Sequence, residues 1–216
     1  MSHTLDQLPL RAALAEIARD FHARGWMAGT AGNLSARDDE HSFWITASGC
    51  PKGRLEQNDF LLVDVASGAV IELAAPGLKP SAETAIHRVI YQCFPQARAC
   101  LHVHSVDACL ACLRATHRQA AEEAEAVSLP LPALEMLKGL GVWEQSPKVS
   151  LPLFENILEV SRIAEAIEQR FISGPPAIPA LMVRGHGVTV WGGSPQEAYN
   201  RVECLEFIMS YLARCK

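Results

Sequence analysis

Apolar residues recur at helical spacing near the start of the chain, at Leu10, Leu14, Ile17, Ala18 and Phe21. That period predicts an amphipathic helix of about five turns. The pattern then breaks. The stretch "RGWMAGTAGNLSAR" (24–37) carries Gly25, Gly29 and Gly32 and reads as loop. Three short runs follow, "SFWITAS", "FLLVDV" and "AVIEL", rich in β-branched and aromatic residues and bounded by Gly, Pro, Asn or Asp. They predict neighbouring strands. A helical period returns in "KPSAETAIHRVIYQCF", with Ser81 as its N-cap and Ala85, Ile86, Val89 and Ile90 as its apolar face.

Farther along, "ARACLHVH" predicts a strand, "SVDACLACLRATH" a helix, and "PALEMLKGLG" a short helix stopped by glycine. "KVSLPLF" reads as extended and "ILEVSRIAEAIEQRF" as helix, while "PALMVRGHGVTVWGG" reads as one buried strand interrupted by Gly-His-Gly. The last helix has the clearest start. Ser194 is its N-cap, Pro195 its first residue, Glu197 completes a capping box, and Ala198, Val202, Leu205, Met209 and Leu212 form its buried stripe. Several strands are consecutive and others alternate with helices, which favours a sheet flanked by helices over an all-parallel fold. At 216 residues the chain is expected to be one domain, 1–216.

Composition narrows the partners. A net charge of −5 leaves no basic footprint for nucleic acid, so an anionic ligand needs a locally positive pocket. No apolar stretch approaches the ~18 residues of a membrane-spanning helix, and no membrane partner is expected. Asp6, Glu16 and Asp20 interrupt an N-terminus that lacks the features of a secretion signal. Seven unevenly spaced cysteines do not form a disulfide framework, so a reducing cytoplasm is the expected location.

Two histidines stand out in "ACLHVHSVDACLACL" (99–113). On a strand, His102 and His104 project to one face while Leu101 and Val103 face the other. Such a pair can chelate a divalent ion with one further ligand, or serve as ordinary hydrogen-bonded side chains. His186, between two glycines in "VRGHGVTVWG", is a candidate third ligand. Its glycines suit either a close backbone approach to a ligand or a simple bulge. Cys109 and Cys112 have the spacing of a metal or redox pair, but no second pair accompanies them. Beside Leu110 and Leu113 on a helix they read as buried structural residues.

Five separated motifs, "GTAGNLSAR", "ITASGCPKG", "KPSAETAIH", "LHVHS" and "VRGHGVTVWG", occur in the order and approximate spacing of the class II aldolase/adducin family, and the chain resembles that family over roughly residues 10 to 212. The resemblance implies an α/β/α sandwich around a mainly antiparallel sheet. It further implies a homotetramer with active sites between subunits and one Zn2+ per subunit on His102, His104 and His186. Within the family, "ALEMLKGLG" and "SLPLFENILEVSRIAEAI" resemble the branch that dehydrates 5-methylthioribulose 1-phosphate in methionine salvage.

On that resemblance Glu135 matches the acid/base glutamate of the dehydratases, and Glu83 matches the catalytic glutamate of the aldolases, which can also reach the metal. Gly29, Gly32, Asn33, Ser48, Gly49, Lys52 and Ser81 match the family's phosphate-binding loops. Their chemistry suits that role: exposed N–H groups, a helix start and one cation. Cys50 has no assigned role. Zinc would act as Lewis acid toward the ketone while a carboxylate removes the C3 proton. An aldolase cleaving a ketose 1-phosphate is the alternative. A non-catalytic adducin-like module is disfavoured by retention of all three histidines.

Overall fold

The computed structural model describes residues 4–121 and 128–215. Five helices and nine strands form three layers among them. The first helix, α1 (Leu10–Ala23), buries Ala13, Leu14, Ile17, Ala18 and Phe21. It is about a turn shorter than its period suggested, because Pro9 precedes it and the chain reverses after Arg24 at Gly25, φ +77°. Residues Leu5–Gln7 form a separate 3-10 turn.

The strands are β1 (Asn33–Arg37), β2 (Ser42–Thr46), β3 (Phe60–Asp64), β4 (Val70–Leu73), β5 (Ala99–Val103), β6 (Ser128–Leu131), β7 (Val149–Phe154), β8 (Ala180–Val183) and β9 (Gly187–Gly192). They lie in the order β4-β3-β2-β1-β5-β9-β8-β7-β6. All neighbours are antiparallel except β7 and β8, which are parallel. The helices α2 (Thr84–Cys93) and α4 (Val160–Ile172) cover one face of the sheet. The other face carries α1, α3 (Val106–Ala121) and α5 (Pro195–Arg214). This is the expected sandwich with its mainly antiparallel sheet. No described helix is long and apolar enough to cross a membrane.

Three local expectations change. "NLSAR" is not loop but β1, and it is buried along its whole length. Leu34 and Ala36 enter the core beneath α1, while Asn33, Ser35 and Arg37 alternate toward the α2 side and are buried with hydrogen-bond partners. A strand with one buried polar face lacks the apolar signature of a strand. Second, α2 begins at Thr84, because Ser81 folds into a preceding turn whose carbonyl accepts from Thr84 N–H, at 3.1 Å. Glu83, not Ser81, occupies the cap. Third, "PALMVRGHGVTVWGG" is two strands, β8 and β9, joined by a tight turn in which His186 N–H donates to Val183 O at 3.1 Å.

The glycines beside His186 answer backbone demands. Gly185 has φ +58°, and a Cβ on Gly187 would lie 2.0 Å from the Val103 carbonyl of β5. A close approach does exist there, but it is strand against strand.

The last helix is built as its sequence indicates. Ser194 Oγ accepts from Glu197 N–H at 3.1 Å, while the Glu197 carboxylate accepts from Gly193 N–H at 2.5 Å. Val202, Leu205, Ile208 and Met209 are fully buried, each contributing about 1.5–3 kcal/mol. Leu212, near the helix end, is only half-buried.

Glu206 is also buried on α5. Burial raises its carboxyl to about pKa 7, and the charge of Asp107 adds to the rise. Folding therefore favours the protonated acid. The associated stability is full below about pH 4.5 and is lost as pH rises through 7. Glu206→Gln is expected to raise the unfolding free energy at pH 8 by up to about 3 kcal/mol. Thermal or urea unfolding should then show a flatter profile between those two pH values.

Candidate metal centre

The site forms where β5 ends. Its strand partners are β1 and β9, with Asn33 opposite His102 on one side and Thr189 opposite it on the other. Leu101 and Val103 point into the core beneath α1, α3 and α5, so His102 projects from the opposite face toward α2. His104 lies just past the strand, anchored by its N–H to Trp26 O at 2.8 Å. Ser105 then caps α3, its Oγ accepting from Ala108 N–H at 3.0 Å, which turns the chain away directly behind the histidines. The β8–β9 turn brings His186, and the start of α2 brings Glu83.

These four side chains converge. One donor atom from each of Glu83, His102, His104 and His186 lies within 4.8 Å of all the others. His102 Nε2 is 2.9 Å from His104 Nε2, and Glu83 Oε1 is 2.7 Å from His186 Nε2. The same carboxylate oxygen is 3.6 Å from His102 Nε2 and 3.9 Å from His104 Nε2. These separations bracket the roughly 3.3 Å expected between donors of a four-coordinate ion.

Proton placement supports the same use. His102 Nδ1 is 3.0 Å from Val188 O and 2.9 Å from Thr189 Oγ1. A carbonyl only accepts, so Nδ1 carries the proton and Nε2 presents its lone pair to the cluster. Burial pushes His104 down to about pKa 3, helped by His102 and His186, and burial likewise lowers His102. Both are neutral at ordinary pH, the form that binds a cation. Burial alone would push the Glu83 carboxyl up. The His102, His186 and His104 rings, with a hydrogen bond from His186, outweigh it and hold the carboxyl well below the usual carboxylate range. The neutral rings of His102 and His104, the His186 ring and one anionic oxygen make a donor set that suits a metal ion.

Around this centre lie the residues matched to phosphate binding. Gly29, Ser48 and Gly49 are exposed and Ser81 half-exposed. Gly32 is buried, with φ +79°; a Cβ there would meet Met27 Cε at 2.7 Å and His102 O at 2.8 Å. The loops are tied together by Lys52 N–H to Gly29 O and Ser48 N–H to Lys79 O, both at 2.9 Å.

Two residues of this set are placed differently from a simple phosphate donor. Lys52 is buried and its Nζ donates to Thr30 O and Cys50 O, each at 3.0 Å, so it is a fixed charge behind the loops. Burial lowers its pKa. The Asn33 amide is committed to Glu83 Oε2 and His87 Nε2.

Glu135 stands apart from the cluster. It begins a 3-10 turn, Glu135–Leu140, is 81% exposed and pairs with Lys138 at 2.7 Å. Gly141, in the left-handed region, ends that turn as its sequence indicated. Of the cysteine pair, Cys112 is core and Cys109 is half-buried, its Sγ 3.9 Å from His186 O. Burial pushes the Cys109 thiol up, away from the thiolate a metal needs. Leu110 and Leu113, expected beside them in the interior, are exposed together with Val106 on the outer face of α3. The fold turns only one side of that helix to α5.

Sequence reasoning missed His87 and Thr189, which brace the cluster from behind. His87 lies four positions after Glu83, a helical neighbour spacing that was available as a signal.

Comparison with known proteins agrees with the geometry. Residues 12–212 match the model of the Class II Aldolase and Adducin N-terminal domain. A methylthioribulose-1-phosphate dehydratase from Microcystis aeruginosa is 52% identical over 202 residues, 94% of either chain. One of the same name from Leptospira biflexa is 40% identical, covering 97% of this chain and 99% of its own. Among solved structures, YgbL from Escherichia coli superposes with a TM-score of 0.74 at 26% identity, over 94% of this chain and 87% of its own. L-fuculose-1-phosphate aldolase from Thermus thermophilus gives 0.68 at 26% identity, over 92% and 91%. With nearly its whole length matched and its three histidines gathered at one end of the sheet, the chain belongs to the class II aldolase and adducin family.

Proposed function

We propose that the protein is a zinc-dependent hydro-lyase of methionine salvage, converting 5-methylthioribulose 1-phosphate to 2,3-diketo-5-methylthiopentyl 1-phosphate in the cytoplasm. The observation that carries this reading is the cluster of three imidazoles and one carboxylate. It occurs in a chain 52% identical to a methylthioribulose-1-phosphate dehydratase.

His102, His104 and His186 would hold the ion, with Glu83 facing the same point. A divalent ion bound there supplies Lewis-acid chemistry to the substrate's ketone. The residues supply the rest. A carboxylate removes the C3 proton, the C4 hydroxyl departs with a proton as water, and the resulting enol tautomerises to the diketone. Glu135 is assigned the proton transfers. Its carboxylate is exposed and paired with Lys138, itself an exposed side chain, which suits a group that meets substrate at a boundary with another copy. The exposed Val106, Leu110 and Leu113, beginning two residues after His104, support a homotetramer with sites between subunits. The exposed Gly29 and Gly49, with the Ser48 and Ser81 hydroxyls and the fixed charge of Lys52, would seat the phosphate.

A second reading, retro-aldol cleavage of a ketose 1-phosphate, is favoured by the central position of Glu83. Incubation with methylthioribulose 1-phosphate separates the two. A diketone is expected; an aldehyde-forming cleavage with no diketone would replace dehydration by aldol chemistry.

His102→Ala or His186→Ala is expected to abolish bound zinc while circular dichroism still reports a folded chain; full zinc content in either variant would remove the metal assignment. Glu135→Gln should keep zinc yet lower turnover by about 10²–10⁴-fold. Near-normal turnover in it would exclude Glu135 from the proton transfers. Cys109→Ser and Cys112→Ser should each leave zinc content and turnover close to those of the unaltered protein.

A further inference from the structure

The polar face of β1 is buried against α2, and its hydrogen bonds run in one direction. Asn33 Nδ2 donates to Glu83 Oε2, since a carboxylate only accepts. Asn33 therefore turns Oδ1 to His87 Nε2, 2.5 Å away, and Nε2 must carry the ring proton. His87 is fully buried on α2, which keeps the ring neutral and leaves Nδ1 as an acceptor. Nδ1 takes the Ser35 hydroxyl proton at 2.7 Å. Ser35 has no second proton, so the Tyr91 hydroxyl, 2.8 Å away, donates to Ser35 Oγ. The Cys100 carbonyl, 3.3 Å from Ser35 Oγ, is the more distant acceptor, so the anion at one end and the neutral ring in the middle together assign the protons in the row from Tyr91 to Glu83.

We infer that His87 is a positioning residue: through the Asn33 amide it holds Glu83 Oε2 back against β1 and so turns Oε1 toward His102, His104 and His186. The amide alone would not suffice. An Asn side chain rotated by a half-turn would present its oxygen to the carboxylate and repel it; the N–H of His87 makes that orientation unfavourable. His87 touches none of the three histidines through a hydrogen bond, and its ring nitrogens are both spent within the row. It acts on the centre only through Asn33 and Glu83.

The inference rests on the metal reading above, and the test keeps the two apart. The full chain, stripped of metal, is titrated with Co2+, whose visible absorption reports the donor set with no substrate present. Failure of the unaltered protein to take up cobalt would overturn the metal reading, and this inference with it. Where the unaltered protein binds, His87→Leu is expected to weaken cobalt binding about 10- to 100-fold and to move the spectrum toward that of Glu83→Ala. His87→Gln, which restores an N–H toward Asn33, should recover most of the affinity. In the Glu83→Ala/His87→Leu double variant the loss should equal that of Glu83→Ala alone, because both changes act through one carboxylate. An unchanged spectrum and affinity in folded His87→Leu, or losses that multiply in the double variant, would overturn the assignment. If His87→Leu does not fold, Asn33→Ala breaks the same link at the first residue of β1, and the same outcomes decide.

Discussion

Strand β5 lies between β1 and β9, and that one register governs the site. It fixes His102 opposite both Asn33 and Thr189. From β9 come the Val188 carbonyl and Thr189 hydroxyl that set the ring's proton; from β1 comes the amide that holds Glu83. A slip of one residue in either pairing would turn His102 into the apolar core and bring Leu101 or Val103 to the polar face. The apolar neighbours of His102 therefore do as much for the site as the clustered side chains themselves. Their burial under α1, α3 and α5 is what locks the register.

The opposite face carries a cost that the same architecture offsets. Asn33, Ser35 and Arg37 are all buried on the α2 side, where an unpartnered polar group would cost about 1–3 kcal/mol. Each has a partner. Arg37 donates to the carbonyls of Tyr91 and Ala97, and the other two form the row that ends at Glu83. The position of α2 is thereby tied to that of β1 by direction-specific bonds rather than by apolar contact alone. Since the cap of α2 is Glu83 itself, docking this helix also sets the carboxylate.

Charge is arranged with similar economy. The protein is mildly acidic, yet its cluster contains three imidazoles and a single carboxylate, with the ammonium of Lys52 fixed by two carbonyls nearby. Such a centre suits a cation through few groups.

By itself the sequence determined the helices with clear caps or apolar stripes. It also determined the common face of His102 and His104 and the exclusion of the cysteine pair, because each follows from local period and side-chain chemistry. The class II aldolase motifs extended this to His186, Glu83 and the sandwich. What remained depended on partners distant along the chain. The strand character of "NLSAR" was hidden because its polar face is satisfied only by α2. The hairpin at Gly185 was hidden because a glycine flanking a histidine suits a bulge as well as a turn. Tertiary structure alone decided that Asn33 serves Glu83, that Lys52 is enclosed, and that Leu110 and Leu113 face outward while Glu135 stands apart from the histidines. Those placements are set by which surfaces meet across the sheet, and no local pattern of residues encodes that meeting.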